Sequence, residues 1–239
     1  TNPGGHSARP SKDNAIYHLA DGISKLAKLD FPFKLNDVTR AYFEKISQLE
    51  TGQVAADMKA ILQNPPDAQA LARIGNVPAL NALVRTTCVA TMLDAGHATN
   101  ALPQRARAVV NCRILPSETV DEVEATLVRV FNNDKIRISR DGVAVHSPAP
   151  PLAPEIMRPV EEITAQLWPG TPVVPTMLVA ATDGRFLNNA GIHTYGITGM
   201  FHDIAGSGAH GLNERIRVKS LYDGHEFLYR LVKALSSSN

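Results

Sequence analysis

Three polar segments of the chain hold residues whose types and spacing suit chemistry. The first is Gly4-Gly5-His6-Ser7-Ala8-Arg9-Pro10, where two glycines let a histidine project from a tight turn with little steric shielding. The second is Asp94-Ala95-Gly96-His97-Ala98-Thr99-Asn100-Ala101-Leu102-Pro103, followed by a segment that carries Arg113 near its end. A guanidinium there offers a planar, two-pronged fork for a carboxylate. The third is Ala181-Thr182-Asp183-Gly184-Arg185-Phe186, with Gly206-Ser207-Gly208-Ala209-His210-Gly211-Leu212-Asn213-Glu214-Arg215-Ile216 some twenty residues later. A histidine in a glycine loop just ahead of a helix suits a metal ligand or a general base. Taken singly, each segment also fits an ordinary surface, hairpin or helix-capping loop.

Local motifs of other chemistries are missing. No two of the eight histidines make an HExxH or HxH arrangement, and the two cysteines have no zinc-finger spacing. Nucleophile-elbow, dinucleotide and Walker patterns are absent as well. With a formal net charge of +1 and both signs interspersed, there is no electrostatic footprint for nucleic acid or an anionic membrane. No apolar run reaches the length of a membrane span. Cys88 and Cys112 read as free thiols serving as small core residues, which leaves the redox compartment, and with it the localisation, open.

The elements that must position these segments follow from periodicity. Ser11 or Asp13 caps a helix reaching about Lys28, with Ile16, Leu19, Ile23 and Leu26 on one face. Helical character over 36–63 is broken by Pro65, Pro66 and Gly75 into short helices, a helical insertion over about 36–80. Residues 83–93 alternate, with Val84, Thr86, Cys88, Ala90 and Met92 on one side. Residues 105–115 do the same with Ala106, Ala108, Val110, Cys112 and Ile114, which predicts a half-buried antiparallel pair. Thr119 and Glu122 form a capping box for a helix through Val123, Leu127 and Val130, and Ile136 and Ile138 mark a further strand. After a proline-rich linker come a helix over about 154–168, a strand near 173–179, a short helix from Asp183, a strand over 193–197 and a closing helix over about 216–235. The fold expected is an α+β domain, an antiparallel sheet with helices on one face (1–145), followed by an incomplete α/β portion (146–239).

In order and spacing, GGHSARP, NALP with the following NCRI strand, TDGRF and AHGLNERI resemble metallopeptidase clan MH, family 20. That family includes aminoacylases, acetylornithine deacetylase, succinyl-diaminopimelate desuccinylase and glutamate carboxypeptidase. The likeness covers essentially the whole chain, as the dimerisation (lid) domain plus the C-terminal part of the catalytic domain. It implies a homodimer through the lid, two zinc ions per subunit, and a small peptide or N-acyl amino acid as substrate. It also implies that His6 stabilises an oxyanion in the partner's site and that Asn100 contacts substrate polar groups. By the same likeness Arg113 pairs with the substrate carboxylate, Arg185 lies beside the site and His210 ligates one zinc.

Ala181 stands where the desuccinylase pattern has threonine, which argues against that substrate. The family's other zinc ligands and its general-base glutamate have no counterpart here, and the chain opens at Thr1 without an initiator methionine. The expectation is therefore a metal-dependent hydrolase of peptide or N-acyl amide bonds when joined to a missing N-terminal catalytic segment, with this chain inactive alone. The alternative is a non-catalytic dimerisation or binding module.

Overall fold

A computed structural model describes residues 2–203, 206–209 and 211–237 of the chain. It contains strand β1 (Gly5–His6) and helix α1 (Ala15–Leu26). Helices α2 (Asp37–Leu49), α3 (Gly52–Ala60), α4 (Ala68–Gly75) and α5 (Pro78–Val84) follow. Then come β2 (Thr87–Ala95), β3 (Ala101–Leu102), β4 (Ala106–Arg113) and α6 (Val120–Phe131). The series closes with α7 (Pro154–Leu167), α8 (Gly184–Asn189) and α9 (Val218–Ser236). Two compact units result: one runs to Pro148 and includes Thr176–Phe186, and the other takes Ala149–Pro175 and the residues from Leu187 on. None of the described helices is long and apolar enough to cross a membrane.

Two apolar clusters build the first unit. In one, α1 and α6 cover a single face of the β2/β4 ladder: Leu26, Phe31, Val123, Leu127 and Phe131 are buried against Cys88, Ala90, Val110, Cys112 and Ile114. This is the antiparallel sheet with helices on one face that the alternation predicts. Asn14, rather than Ser11 or Asp13, caps α1 by accepting from the Ile16 N–H, and Asp13 accepts from His18 Nε2 at 2.8 Å instead. The capping box of α6 forms as read. The backbone N–H of Thr119, and then its hydroxyl, hold the Glu122 carboxyl below its ordinary value.

The other cluster is the helical insertion, α2 to α5, which closes around Phe43, Met58, Ile61, Ala70, Ile74, Leu80, Leu83 and Val84. Arg73 on α4 grips the buried Asp57 of α3 through both Nε and Nη2, joining two of its helices. Asn36 caps α2, and its Nδ2 also reaches Met177 Sδ at 3.6 Å, so the insertion seats the start of the 176–186 segment.

The hairpin corrects the sequence reading in two ways. A bulge at Thr91 changes the register: Cys88 faces Cys112 and Ala90 faces Val110, but beyond it Met92 faces Val109 and Asp94 faces Arg107. Met92 thus leaves the covered face that strict alternation assigned to it, and Leu93 and Ala95 take the other parity. Moreover, Cys88 and Cys112 are not free thiols. They are direct cross-strand partners, with Cα atoms 4.1 Å apart, and form a disulfide.

Ile136 and Ile138 pack against the first cluster without joining the ladder. In the second unit, Val160 and Ile163 of α7 and Phe227 and Leu231 of α9 make the core. Residues 173–179 and 193–197 form no strand. A strand exists only through a neighbour that accepts and donates its ladder bonds, and no described segment supplies one.

Candidate functional site

Two of the sequence-selected residues meet at the tip of the hairpin. His6 lies on β1, which pairs antiparallel with β3 so that His6 opposes Ala101 and Gly5 opposes Leu102. The Ser7 N–H donates to the Asn100 carbonyl at 2.9 Å, closing the His6 loop onto the Asn100 turn. Both glycines are required for this approach. Gly4 (φ +81°) and Gly5 (φ +150°) have positive φ, and a Cβ on Gly4 would lie 2.8 Å from Gln104 Cγ. The Asn2 N–H donates to the Gln104 carbonyl at 2.7 Å, extending the seam by another pair.

The imidazole of His6 is exposed and its proton is placed by the loop. The Ala8 N–H donates to His6 Nδ1 at 3.1 Å, which makes Nδ1 the acceptor and puts the hydrogen of the neutral ring on Nε2. Among the described residues Nε2 has no partner. An exposed ring with its Nδ1 occupied in this way offers Nε2–H as a hydrogen-bond donor, suited to an oxygen that gains negative charge.

Arg113 is also exposed, but at the other end of β4, opposite Thr87. Seven residues of antiparallel strand put roughly 24 Å between Ala106 and Arg113. The chain therefore does not bring Arg113 to the His6–Asn100 turn. That far end is held firmly. The Leu115 N–H donates to Thr86 Oγ1 at 2.9 Å, and the Thr86 hydroxyl donates to the buried Glu118 carboxylate. Glu118 in turn pairs with Lys34 Nζ at 2.8 Å, a bond that raises the Lys34 pKa.

Arg185 sits in α8, half-buried, with its guanidinium carbon 4.7 Å from the centre of the Phe186 ring. The turn before it closes through the Arg185 N–H to the Thr182 carbonyl. His210 lies outside the described residues. Around its position the Gly211 N–H donates to the Gly208 carbonyl at 2.8 Å, and the Arg215 N–H to Ser207 at 2.9 Å.

No group of three or more His, Cys, Asp or Glu among the described residues is placed to hold a metal. A catalytic zinc takes three protein ligands, so this donor set does not by itself fit one. Sequence reasoning also missed the Ala8 N–H that sets the His6 tautomer, and the Cys88–Cys112 bond. The first is a backbone group without a side-chain signal, and the second depends on register, which cysteine spacing alone does not give.

Residues 1–139 match the sequence profile described as the peptidase dimerisation domain. The probable carboxypeptidase S-like 2 of Dictyostelium discoideum is 27% identical over 96% of the chain, which spans 44% of that protein. The N-fatty-acyl-amino acid synthase/hydrolase PM20D1 of Mus musculus is 28% identical over 96% of the chain, spanning 46% of that protein. The chain thus covers less than half the length of these curated relatives. The crystal structure of the M20 family metallo-carboxypeptidase Sso-CP2 from Sulfolobus solfataricus shares the fold, with a TM-score of 0.62 at 18% identity. That match covers 96% of this chain and 55% of that one.

Proposed function

The chain belongs to the M20 peptidase dimerisation-domain family, and on that premise we propose that it is the lid and closing portion of a metal-dependent hydrolase of peptide or N-acyl amide bonds. Carboxypeptidases and N-acyl-amino acid hydrolases, the activities named for its relatives, share one substrate feature. Each cuts an amide whose nitrogen belongs to a residue with a free carboxylate. The exposed guanidinium of Arg113 suits that carboxylate. The outward Nε2–H of His6 suits the carbonyl oxygen as it becomes an oxyanion, a role whose removal costs about 10²–10³ in kcat elsewhere. Asn100 offers its amide from the same turn as His6, and Arg185 stands beside the site.

One observation carries this reading. The scissile carbonyl and the free carboxylate lie one residue apart, about 3.5 Å of chain, whereas β4 alone separates the two ends of the hairpin by roughly 24 Å. Side-chain lengths do not close that gap. His6 and Arg113 therefore hold one substrate only if they come from different subunits, which requires the homodimer. The zinc ions, most of their ligands and the general base belong to catalytic polypeptide outside these 239 residues, with His210 as the ligand this chain contributes. Alone, the chain does not hydrolyse.

A mixing experiment tests the trans arrangement in the complete hydrolase. His6→Ala and Arg113→Ala homodimers are each inactive. Refolded together at equal amounts, they regain about a quarter of wild-type activity, because half the dimers are mixed and each has one intact site. No regain on mixing would place both residues in one subunit's site and sink the reading. A panel of dipeptides against N-acyl amino acids then decides between peptidase and deacylase.

A further inference from the structure

The disulfide between Cys88 and Cys112 has no part in the chemistry above, yet it sits between the firmly held Thr86 end and the Thr91 bulge, where the register of the hairpin changes. Below the Thr91 bulge the pairs are Thr87 with Arg113, Cys88 with Cys112 and Val89 with Asn111; above it the register is offset by one. A bulge can migrate along a strand when the side chains it moves suit either face. If the upper register extended downward, Val89 would face Cys112, Ala90 would face Asn111 and Cys88 would face Arg113. Val89 and Ala90 are apolar, and Val89 is 60% exposed where it stands, so packing alone opposes the slip weakly. The bond between Cys88 and Cys112 forbids it.

We infer that the Cys88–Cys112 disulfide is a redox-controlled staple that fixes the register of this hairpin below the Thr91 bulge, in the stretch that ends at Arg113. Arg113 follows Cys112 directly and faces Thr87, so the bond on one side and the Leu115–Thr86 hydrogen bond on the other bracket it. Both cysteines are half-buried against the cluster of Leu26, Val123 and Phe131, not sealed inside it. The switching reaction is thiol–disulfide exchange with a dithiol. One thiolate attacks a cysteine sulfur and breaks the S–S bond, giving a mixed disulfide and a released cysteine thiolate. The second thiol of the reagent then displaces the other cysteine. Two electrons and two protons reach the pair, and the reagent leaves as its cyclic disulfide. The importance for Arg113 rests on the proposed function; the staple itself does not.

The test uses the purified chain, without substrate or metal. Alkylation in denaturant adds no groups to the untreated protein and two after dithiothreitol. Amide exchange of β2 and β4 then speeds up by about tenfold or more on reduction, the loop closed by the bond being of ordinary size. Exchange in α2 to α5, which have their own core, stays unchanged. A Cys88→Ala/Cys112→Ala variant behaves as the reduced chain does, and should it fail to fold, the reduced wild-type protein still gives the answer. Two alkylated cysteines without reductant, or equal exchange of the hairpin in both states, overturn the staple and leave the trans-site proposal standing.

Discussion

His6 shows how much a single backbone group decides. Without the Ala8 N–H on Nδ1, a neutral imidazole would divide its proton between two nitrogens; with it, the donor faces outward. Asp57, buried between α3 and α4, is instead decided by a side chain. Hydrogen bonds from Arg73 hold its carboxyl below the ordinary 3.8, against a smaller opposing effect of burial. Because the folded pKa is the lower one, the stabilisation is complete above the unfolded value and fades as pH falls through the folded one. Asp57→Asn should therefore lower the urea midpoint at pH 7, and the gap from wild type should narrow as pH falls below about 4. A gap independent of pH would show that the ion pair contributes nothing to the insertion. At this scale the sequence displayed His6, Asn100, Arg113 and Arg185 by type and neighbours. It hid the disulfide, since pairing Cys88 with Cys112 needs the register, and the register depends on a bulge that no residue type at Thr91 announces.

Among the elements, α9 carries the clearest unused surface. Ser220, Gly224, Phe227 and Leu231 are buried on one side, while Val218, Tyr222, Tyr229 and Val232 are 69, 70, 60 and 63% exposed. At about 100° per residue the second set lies opposite the first. The ion pairs of Lys219 with Asp223 and Glu226 with Arg230 mark a narrow polar stripe between them. A helix apolar on two opposite sides is built to be sandwiched. Replacing both Tyr229 and Val232 by Lys should leave the stability of the isolated chain within about 0.5 kcal/mol, as for surface changes. Phe227→Ala should cost about 3–5 kcal/mol. A large loss from the double lysine variant would mean that this face is already packed. Helices such as α9 and α6 were legible because caps and periodicity are local. The strands expected at 136–138, 173–179 and 193–197 were not, because their formation depends on a neighbour rather than on their own residues.

For the molecule as a whole, the proposed function makes pairing of two chains a condition of activity, because His6 and Arg113 lie at opposite ends of the hairpin. The free edge of β2 is one place where such pairing could form. Among the described residues β2 is hydrogen-bonded only to β4, leaving its other edge open. Along it Val89, Met92 and Leu93 are 60, 67 and 66% exposed. An open edge with apolar side chains invites another strand unless charge or a cover prevents it. A twofold axis beside β2 would let the same edge serve both subunits. Met92→Lys puts a charge at the centre of that contact without touching the covered face of the sheet. Sedimentation should then report a monomer where the wild type is a dimer, with helix content unchanged. Thermal unfolding separates interface loss from damage to the fold. The wild-type Tm should fall on dilution, since dimerisation stabilises by mass action, whereas the variant's Tm should not depend on concentration. A variant that still sediments as a dimer would move the interface away from β2, and the geometry that brings His6 to a partner's substrate would have to be sought on another face.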